Sequence, residues 1–236
     1  VFCGQSFGSD ADAVGEIVFT TAMTGYLETL TDPSYFGQIV IQTFPLIGNY
    51  GVISPDFESA SPALSAYIVR DICQEPSNFR SEGPLDVFLR EKGVVGLAGI
   101  DTRALTRIVR EVGVMNAAIV HEEPKDIDKI IEKLRAYSVR NAVMNVTCKE
   151  KGIYTPEDPA RRVVLWDFGA KANIRRELVK RGCEVIVMPA NSTAEEIIAE
   201  RPDGIMLSNG PGDPAENTGI IKELKKVCER RIPTFG

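Results

Sequence analysis

The sequence predicts an α/β protein in two parts. A mixed β/β/α domain spans residues 1–146, a linker covers 147–162, and an incomplete parallel-sheet domain occupies 163–236. Three observations carry this reading. Short apolar runs broken by turn residues fill the first part. Periodicity dissolves between Asn145 and Arg162. Beyond it, strand-like and helix-like segments alternate strictly.

In the first part the β-like runs are Glu16–Thr21, Gln38–Thr43 and Ala66–Val69, punctuated by Asp32-Pro33-Ser34, Ile47-Gly48-Asn49 and Ser77-Asn78. That pattern suits a mixed or largely antiparallel sheet. Asp101 to Val112 places Leu105, Ile108, Val109 and Val112 at helical spacing, and Gly113 stands as a C-terminal stop. Asp126 to Tyr137 repeats the stripe with Ile127, Ile130, Ile131 and Leu134. The linker then carries Lys149-Glu150-Lys151-Gly152 and two prolines, Pro156 and Pro159.

In the second part Val163–Phe168 is a continuous apolar strand and Asn173–Arg181 a helix stopped at Gly182. Glu184–Met188 is a second strand. Ser192 opens a helix with capping-box spacing to Glu195. Gly204–Leu207 is a third strand. Thr218–Arg230 is a helix with Ile220, Ile221, Leu224, Val227 and Cys228 expected inward, and Ile232–Phe235 starts a fourth strand. Such alternation means βαβ units and a sheet covered on both faces. A finished domain seldom stops at the end of a central strand, so the chain is expected to be a truncated one. Val1 is likewise not an initiator residue, which is expected where the natural start lies upstream.

Composition excludes several classes. With 236 residues, two domains fit, and 44% hydrophobic with 25% charged residues supports ordinary cores. The formal charge is −6, and residues 1–160 hold 14 Lys and Arg against 22 Asp and Glu. That is no basic footprint for a nucleic acid. No run of 18 apolar residues supports a membrane span, and no signal segment opens the chain. The partners are therefore expected to include neither nucleic acid nor membrane. Cys3, Cys73, Cys148, Cys183 and Cys228 are odd in number and scattered, so neither a disulfide framework nor a zinc site is indicated. Thiols of a reducing cytoplasm are the expectation, with Cys228 in the core. Cys183 follows a helix C-terminus, the wrong end for lowering a thiol pKa. His121, the only histidine, precedes Glu122-Glu123-Pro124 and reads as solvated. Arg103, Arg107 and Arg110 read as a solvated helix face.

The segment with most chemical content is Leu207-Ser208-Asn209-Gly210-Pro211-Gly212-Asp213-Pro214, directly after a buried strand. Two glycines flanking a proline make a rigid loop that lets ligand approach backbone amides, as an oxyanion hole requires. An ordinary strand-to-helix turn explains the same residues. Neither a Walker A loop nor a dinucleotide fingerprint is present.

This loop, followed by a helix and Ile232-Pro233-Thr234-Phe235-Gly236, resembles the class I glutamine amidotransferase domain, a flavodoxin-like parallel sheet. Upstream, Met23-Thr24-Gly25-Tyr26, Thr31-Asp32-Pro33-Ser34-Tyr35, Pro45-Leu46-Ile47-Gly48-Asn49 and Gly99-Ile100-Asp101-Thr102-Arg103-Ala104-Leu105-Thr106-Arg107 are similar to the N-terminal domain of carbamoyl phosphate synthetase small subunits. Asp167-Phe168-Gly169-Ala170-Lys171 matches their amidotransferase opening.

The resemblance implies a cytoplasmic subunit that hydrolyses L-glutamine and passes ammonia to a large subunit, which makes carbamoyl phosphate from ATP and bicarbonate for arginine and pyrimidine synthesis. No cofactor is implied for this chain; ATP and Mg are expected on the large subunit. It implies glutamine contacts at Ser34, Gly210 and Gly212, with Gly210 as the oxyanion-hole amide. On the residues alone, Ser34 reads as a turn-stabilising serine after Pro33, and only the resemblance makes it a glutamine contact. The family's nucleophile elbow, G-x-C-x-G, would begin at about Gly236, so the catalytic Cys, His and Glu are expected beyond it and this chain is expected to be inactive. A contact patch for the large subunit is an alternative for the three arginines. A non-catalytic scaffold that has lost the cysteine is an alternative for the whole. A glutaminase for anthranilate or guanylate synthesis is another, opposed by the N-terminal domain.

Overall fold

A computed structural model describes residues 1–122, 124 and 126–236. Glu123, part of the expected setting of His121, lies outside the described residues, as does Lys125. The chain divides into two compact units, Val1–Val139 and Arg140–Gly236.

The first unit runs β1 (Gln5–Gly8), β2 (Ala13–Thr20), α1 (Tyr26–Thr31), β3 (Gln38–Gln42), β4 (Leu46–Ile47), β5 (Ala66–Ile68), β6 (Asp71–Ile72), α2 (Leu85–Glu91), β7 (Val95–Ala98), α3 (Thr102–Val112), β8 (Met115–Ile119) and α4 (Ile127–Ala136). Its six-stranded sheet has the order β1-β7-β5-β3-β2-β8. The four inner strands are parallel, and only the edge strands β1 and β8 pair antiparallel. The sheet is therefore mixed rather than largely antiparallel. The reason lies in the strands: β3 and β5 are buried on both faces, the environment parallel strands occupy. Side chains alternate about each strand. Ile39 and Ile41 enter one core with Ile17, Ile68 and Val95, while Val40 enters the other with Tyr26, Leu30, Tyr67 and Leu89.

Both periodic stripes of this unit form helices, but the burial is narrower than expected. Asp101 caps α3 by accepting the Ala104 N–H at 2.9 Å, and Gly113 ends it at φ +87°. Val109 is buried and Leu105 partly so, yet Ile108 and Val112 are exposed. On α4, Ile127 and Ile131 are exposed too. α3 packs on the inner strands β2 and β3 and α4 on the edge strand β8, and each buries only the residues nearest those strands.

The second unit runs α5 (Ala142–Val146), β9 (Gly152–Tyr154), β10 (Arg161–Asp167), α6 (Ala172–Lys180), β11 (Cys183–Pro189), α7 (Ala194–Ala199), β12 (Gly204–Leu207), α8 (Thr218–Glu229) and β13 (Thr234–Phe235). Its sheet has the order β13-β12-β10-β11-β9. The first four are parallel and β9, drawn from the segment read as a linker, joins antiparallel at the edge of β11. Trp166, Val164, Ile186, Ile197 and Val227 form the core between strands and helices.

Two expectations are corrected here. The capping box of α7 is Thr193 with Glu196, one residue beyond Ser192 and Glu195. Ser192 instead closes a turn, its N–H donating to Pro189 O at 3.0 Å. Cys228 and Ile221 are exposed, because only Val227, with Ile220 and Leu224 beside it, faces the sheet. Among the described residues no helix is long and apolar enough to cross a membrane.

Candidate functional site

In the second sheet the connection leaving β10 goes to β11 on one side, and the connection leaving β12 goes to β13 on the other. The crevice between the carboxyl ends of β10 and β12 is thus a topological switch point, where open α/β sheets bind ligands. Two loops meet there, Phe168–Lys171 and Ser208–Asp213.

The first loop is held from below. Asp167, buried at the end of β10, accepts the Gly169 and Ala170 N–H groups on Oδ1 at 2.8 and 2.6 Å. Its Oδ2 accepts the Cys148 N–H at 2.7 Å. Thr147 extends the network, donating to Asp167 O at 2.6 Å and accepting the Ala190 N–H at 2.9 Å. A buried carboxylate is tolerated only when hydrogen-bonded, and three amides meet that need.

The second loop is laced to the first. Ser208 Oγ accepts the Phe168 N–H at 2.8 Å and donates to Asn209 O at 2.7 Å. The Asn209 side chain donates to Gly169 O at 3.3 Å and accepts the Lys171 N–H at 3.4 Å. Gly210 then passes so close to the first loop that a Cβ would stand 2.3 Å from Phe168 O. Only glycine fits. Pro211 is buried, and Gly212 takes φ +78°, a conformation L side chains rarely adopt. Asp213 closes the loop by accepting the Ala215 N–H at 2.8 Å. The Gly210 and Gly212 N–H groups have no acceptor among the described residues, and both residues are exposed. The loop therefore offers two donors in directions fixed by the laced backbone, as electrostatic stabilisation requires.

Gly210 and Gly212 thus stand in one crevice of the second unit. Ser34 lies in the first unit, on a single-turn 3₁₀ helix, Pro33–Tyr35, where Asp32 Oδ1 accepts its N–H at 2.9 Å. Asp167, Ser208 and Asn209 have no individual role legible in the sequence beyond their place in the two motifs. The available signal was a carboxylate closing an otherwise apolar strand.

The thiol beside this crevice is unsuited to attack. Burial, reinforced by the Asp167 carboxylate, pushes the Cys148 thiol up to about 12. At pH 8 that leaves a thiolate fraction of about one in 10⁴. Alkylation of Cys148 by iodoacetamide is expected to be at least about a hundredfold slower than that of exposed Cys3 and Cys228. A mass-spectrometric time course checks this, and equal rates would contradict it. His121 is half-exposed, 3.9 Å from Asp10. Among the described residues no group of His, Cys, Asp and Glu could hold a metal ion.

Comparison with known proteins adds a family setting. Residues 1–119 match the model of the carbamoyl-phosphate synthase small chain, CPSase domain, and residues 164–236 match glutamine amidotransferase class-I. The carbamoyl phosphate synthase small chain of Bacillus anthracis is 49% identical over 236 residues, that of Listeria monocytogenes serotype 4b 46% over 235, and that of Fusobacterium nucleatum 47% over 237. Each alignment covers 100% of this chain. The chain spans 64% of the length of the first two relatives and 65% of the third.

Proposed function

The chain belongs to the family of carbamoyl phosphate synthase small chains, and from that premise we propose that the crevice at Gly210–Pro211–Gly212 binds L-glutamine and serves its hydrolysis in the whole protein. The observation that carries the reading is the pair of unmatched amides at a topological switch point, in a loop that only glycine can build. A cysteine attacks the glutamine side-chain carbonyl, and the Gly210 N–H donates to the oxyanion that forms. The C–N bond breaks as the carbonyl re-forms, the proton given up by the thiol leaves on the nitrogen as ammonia, and water then hydrolyses the glutamyl thioester to glutamate and the free thiol. Gly212 N–H holds the amino-acid end of the substrate. The ammonia passes to a large-subunit partner that makes carbamoyl phosphate from ATP and bicarbonate, which feeds arginine and pyrimidine synthesis in the cytoplasm. For Ser34 the proposal of a glutamine contact rests on the family pattern alone. Its own test is a raised KM for glutamine in Ser34→Ala.

None of the five cysteines present is proposed as the nucleophile. Cys148 is held as a neutral thiol, and Cys183 follows the C-terminal end of α6. The purified 236-residue chain is accordingly expected to release no glutamate from glutamine. The whole protein with its partner is expected to transfer ¹⁵N from the glutamine side-chain amide into carbamoyl phosphate. Release of glutamate by the short chain would overturn the first expectation. Failure of the label to appear would overturn the reading itself.

A further inference from the structure

The face of α3 turned away from its apolar residues carries a second concentration of chemistry. At about 100° per residue, Arg103, Thr106, Arg107 and Arg110 fall within an arc of about 100°. With Thr21 and Thr43 they line a cleft of about 510 Å³, within the size range of small-ligand sites. Thr21 follows β2 and Thr43 follows β3, and those strands are parallel. The cleft therefore opens at the carboxyl ends of parallel strands, on the first unit, and shares no residue with the glutamine crevice.

Three features argue against an idle solvated face. The arginines have no ion-pair partner among the described residues, although this unit carries 11 Lys and Arg against 19 Asp and Glu. Some helical cations elsewhere are paired within a turn, Arg90 with Asp86 at 2.7 Å, Lys129 with Asp126 at 3.3 Å and Lys226 with Glu223 at 2.8 Å, while among the described residues Lys133, Arg176 and Lys222 share the unpaired condition of the α3 arginines. On α3, Arg103 and Arg107 stand four residues apart as like charges, an arrangement that destabilises an empty helix. Asp101 is engaged as the helix cap, and Glu111, next to Arg110 and four residues from Arg107, forms no ion pair with either among the described residues. Finally, Thr106 Oγ1 is buried without a hydrogen-bond partner among the described residues, a condition rare enough in folded proteins to call for an explanation.

We propose that this cleft binds a diphosphate group, with Arg103, Arg107 and Arg110 as its charge partners and the Thr21 and Thr43 hydroxyls as further donors. Guanidinium groups present paired donors that match phosphate oxygens, and several such forks suit a compact, multiply charged anion better than one carboxylate. Inorganic pyrophosphate and nucleoside diphosphates share that chemistry.

Calorimetric titration of the full chain at low salt with pyrophosphate, with ADP and with a polyglutamate peptide tests the assignment. Saturable binding of pyrophosphate is expected, weakened about tenfold or more in Arg107→Gln and less in Arg107→Lys. Circular dichroism of the variants confirms that α3 remains folded. Equal affinity for pyrophosphate and ADP identifies the free anion as the ligand, whereas tighter ADP identifies a nucleotide. The proposal is overturned if millimolar pyrophosphate does not bind, if Arg107→Gln leaves its affinity unchanged, or if only the polyglutamate peptide binds. The last result would make the cleft a docking point for an acidic protein segment.

Discussion

Replacing Gly210 by alanine in the whole protein is expected to lower glutamine-dependent turnover by about 10²–10³-fold, the effect of losing one oxyanion-hole donor. The added methyl would meet Phe168 O at 2.3 Å, so the loop must move and carry the Gly210 amide out of line. Because that amide is proposed to act on the developing oxyanion, kcat should fall far more than KM rises. Carbamoyl phosphate synthesis from added ammonia should be unaffected, since it bypasses the proposed glutamine crevice. Parallel loss of both activities would indicate a folding defect and defeat the interpretation. Unchanged glutamine turnover would remove Gly210 from the mechanism. Gly212→Ala is a milder change, in which strain at φ +78° costs on the order of 1–3 kcal/mol.

Removing the Asp167 carboxylate is expected to be the most damaging polar substitution in the second unit. Asp167→Ala leaves the Gly169, Ala170 and Cys148 N–H groups without their acceptor at once. An unsatisfied buried donor costs about 1–3 kcal/mol, and partial rescue by water keeps the total near 3 kcal/mol rather than three times the maximum. Chemical denaturation of the chain measures this directly. Asp167→Asn keeps one acceptor oxygen and should recover part of the loss. Since Gly169 O and the Phe168 N–H are the points to which Asn209 and Ser208 are tied, the same substitution should also depress glutamine turnover without touching substrate. A loss below about 1 kcal/mol would show that the two loops are fixed by packing alone.

How far the sequence revealed these features depended on where the determining contact lay. Runs such as Ile39-Val40-Ile41 and Val163–Trp166 declare strands because every residue in them is β-branched or apolar, and β3 and β10 occupy those positions. The stripes of α3 and α4 declared helices but overstated their burial. Periodicity reports which face is apolar; how much of it meets the sheet is a matter of tertiary placement, so Ile108, Val112, Ile127 and Ile131 stay exposed. Both Ser192 and Thr193 can cap a helix, and the choice of Thr193 follows from the turn that ties the Ser192 N–H to Pro189. At the site, the glycines were legible because a close approach or a positive φ excludes every other residue. Asp167 was not, because its partners, the amides of residues 148, 169 and 170, come together only when the chain has folded.

The antiparallel strand β9 has a consequence for the edge of the second sheet. Without it, Val185–Val187 of β11 would present a row of open amides and carbonyls on an apolar strand, the template from which chains stack into fibrils. Three residues suffice to occupy that row. The new border they create is too short to recruit a neighbour, and the Arg175 guanidinium sits 4.0 Å from the centre of the Tyr154 ring, placing a positive charge there. Lys151 adds another, held to Glu200 at 2.9 Å. A segment that looks like idle connection thus covers the β11 edge of the sheet.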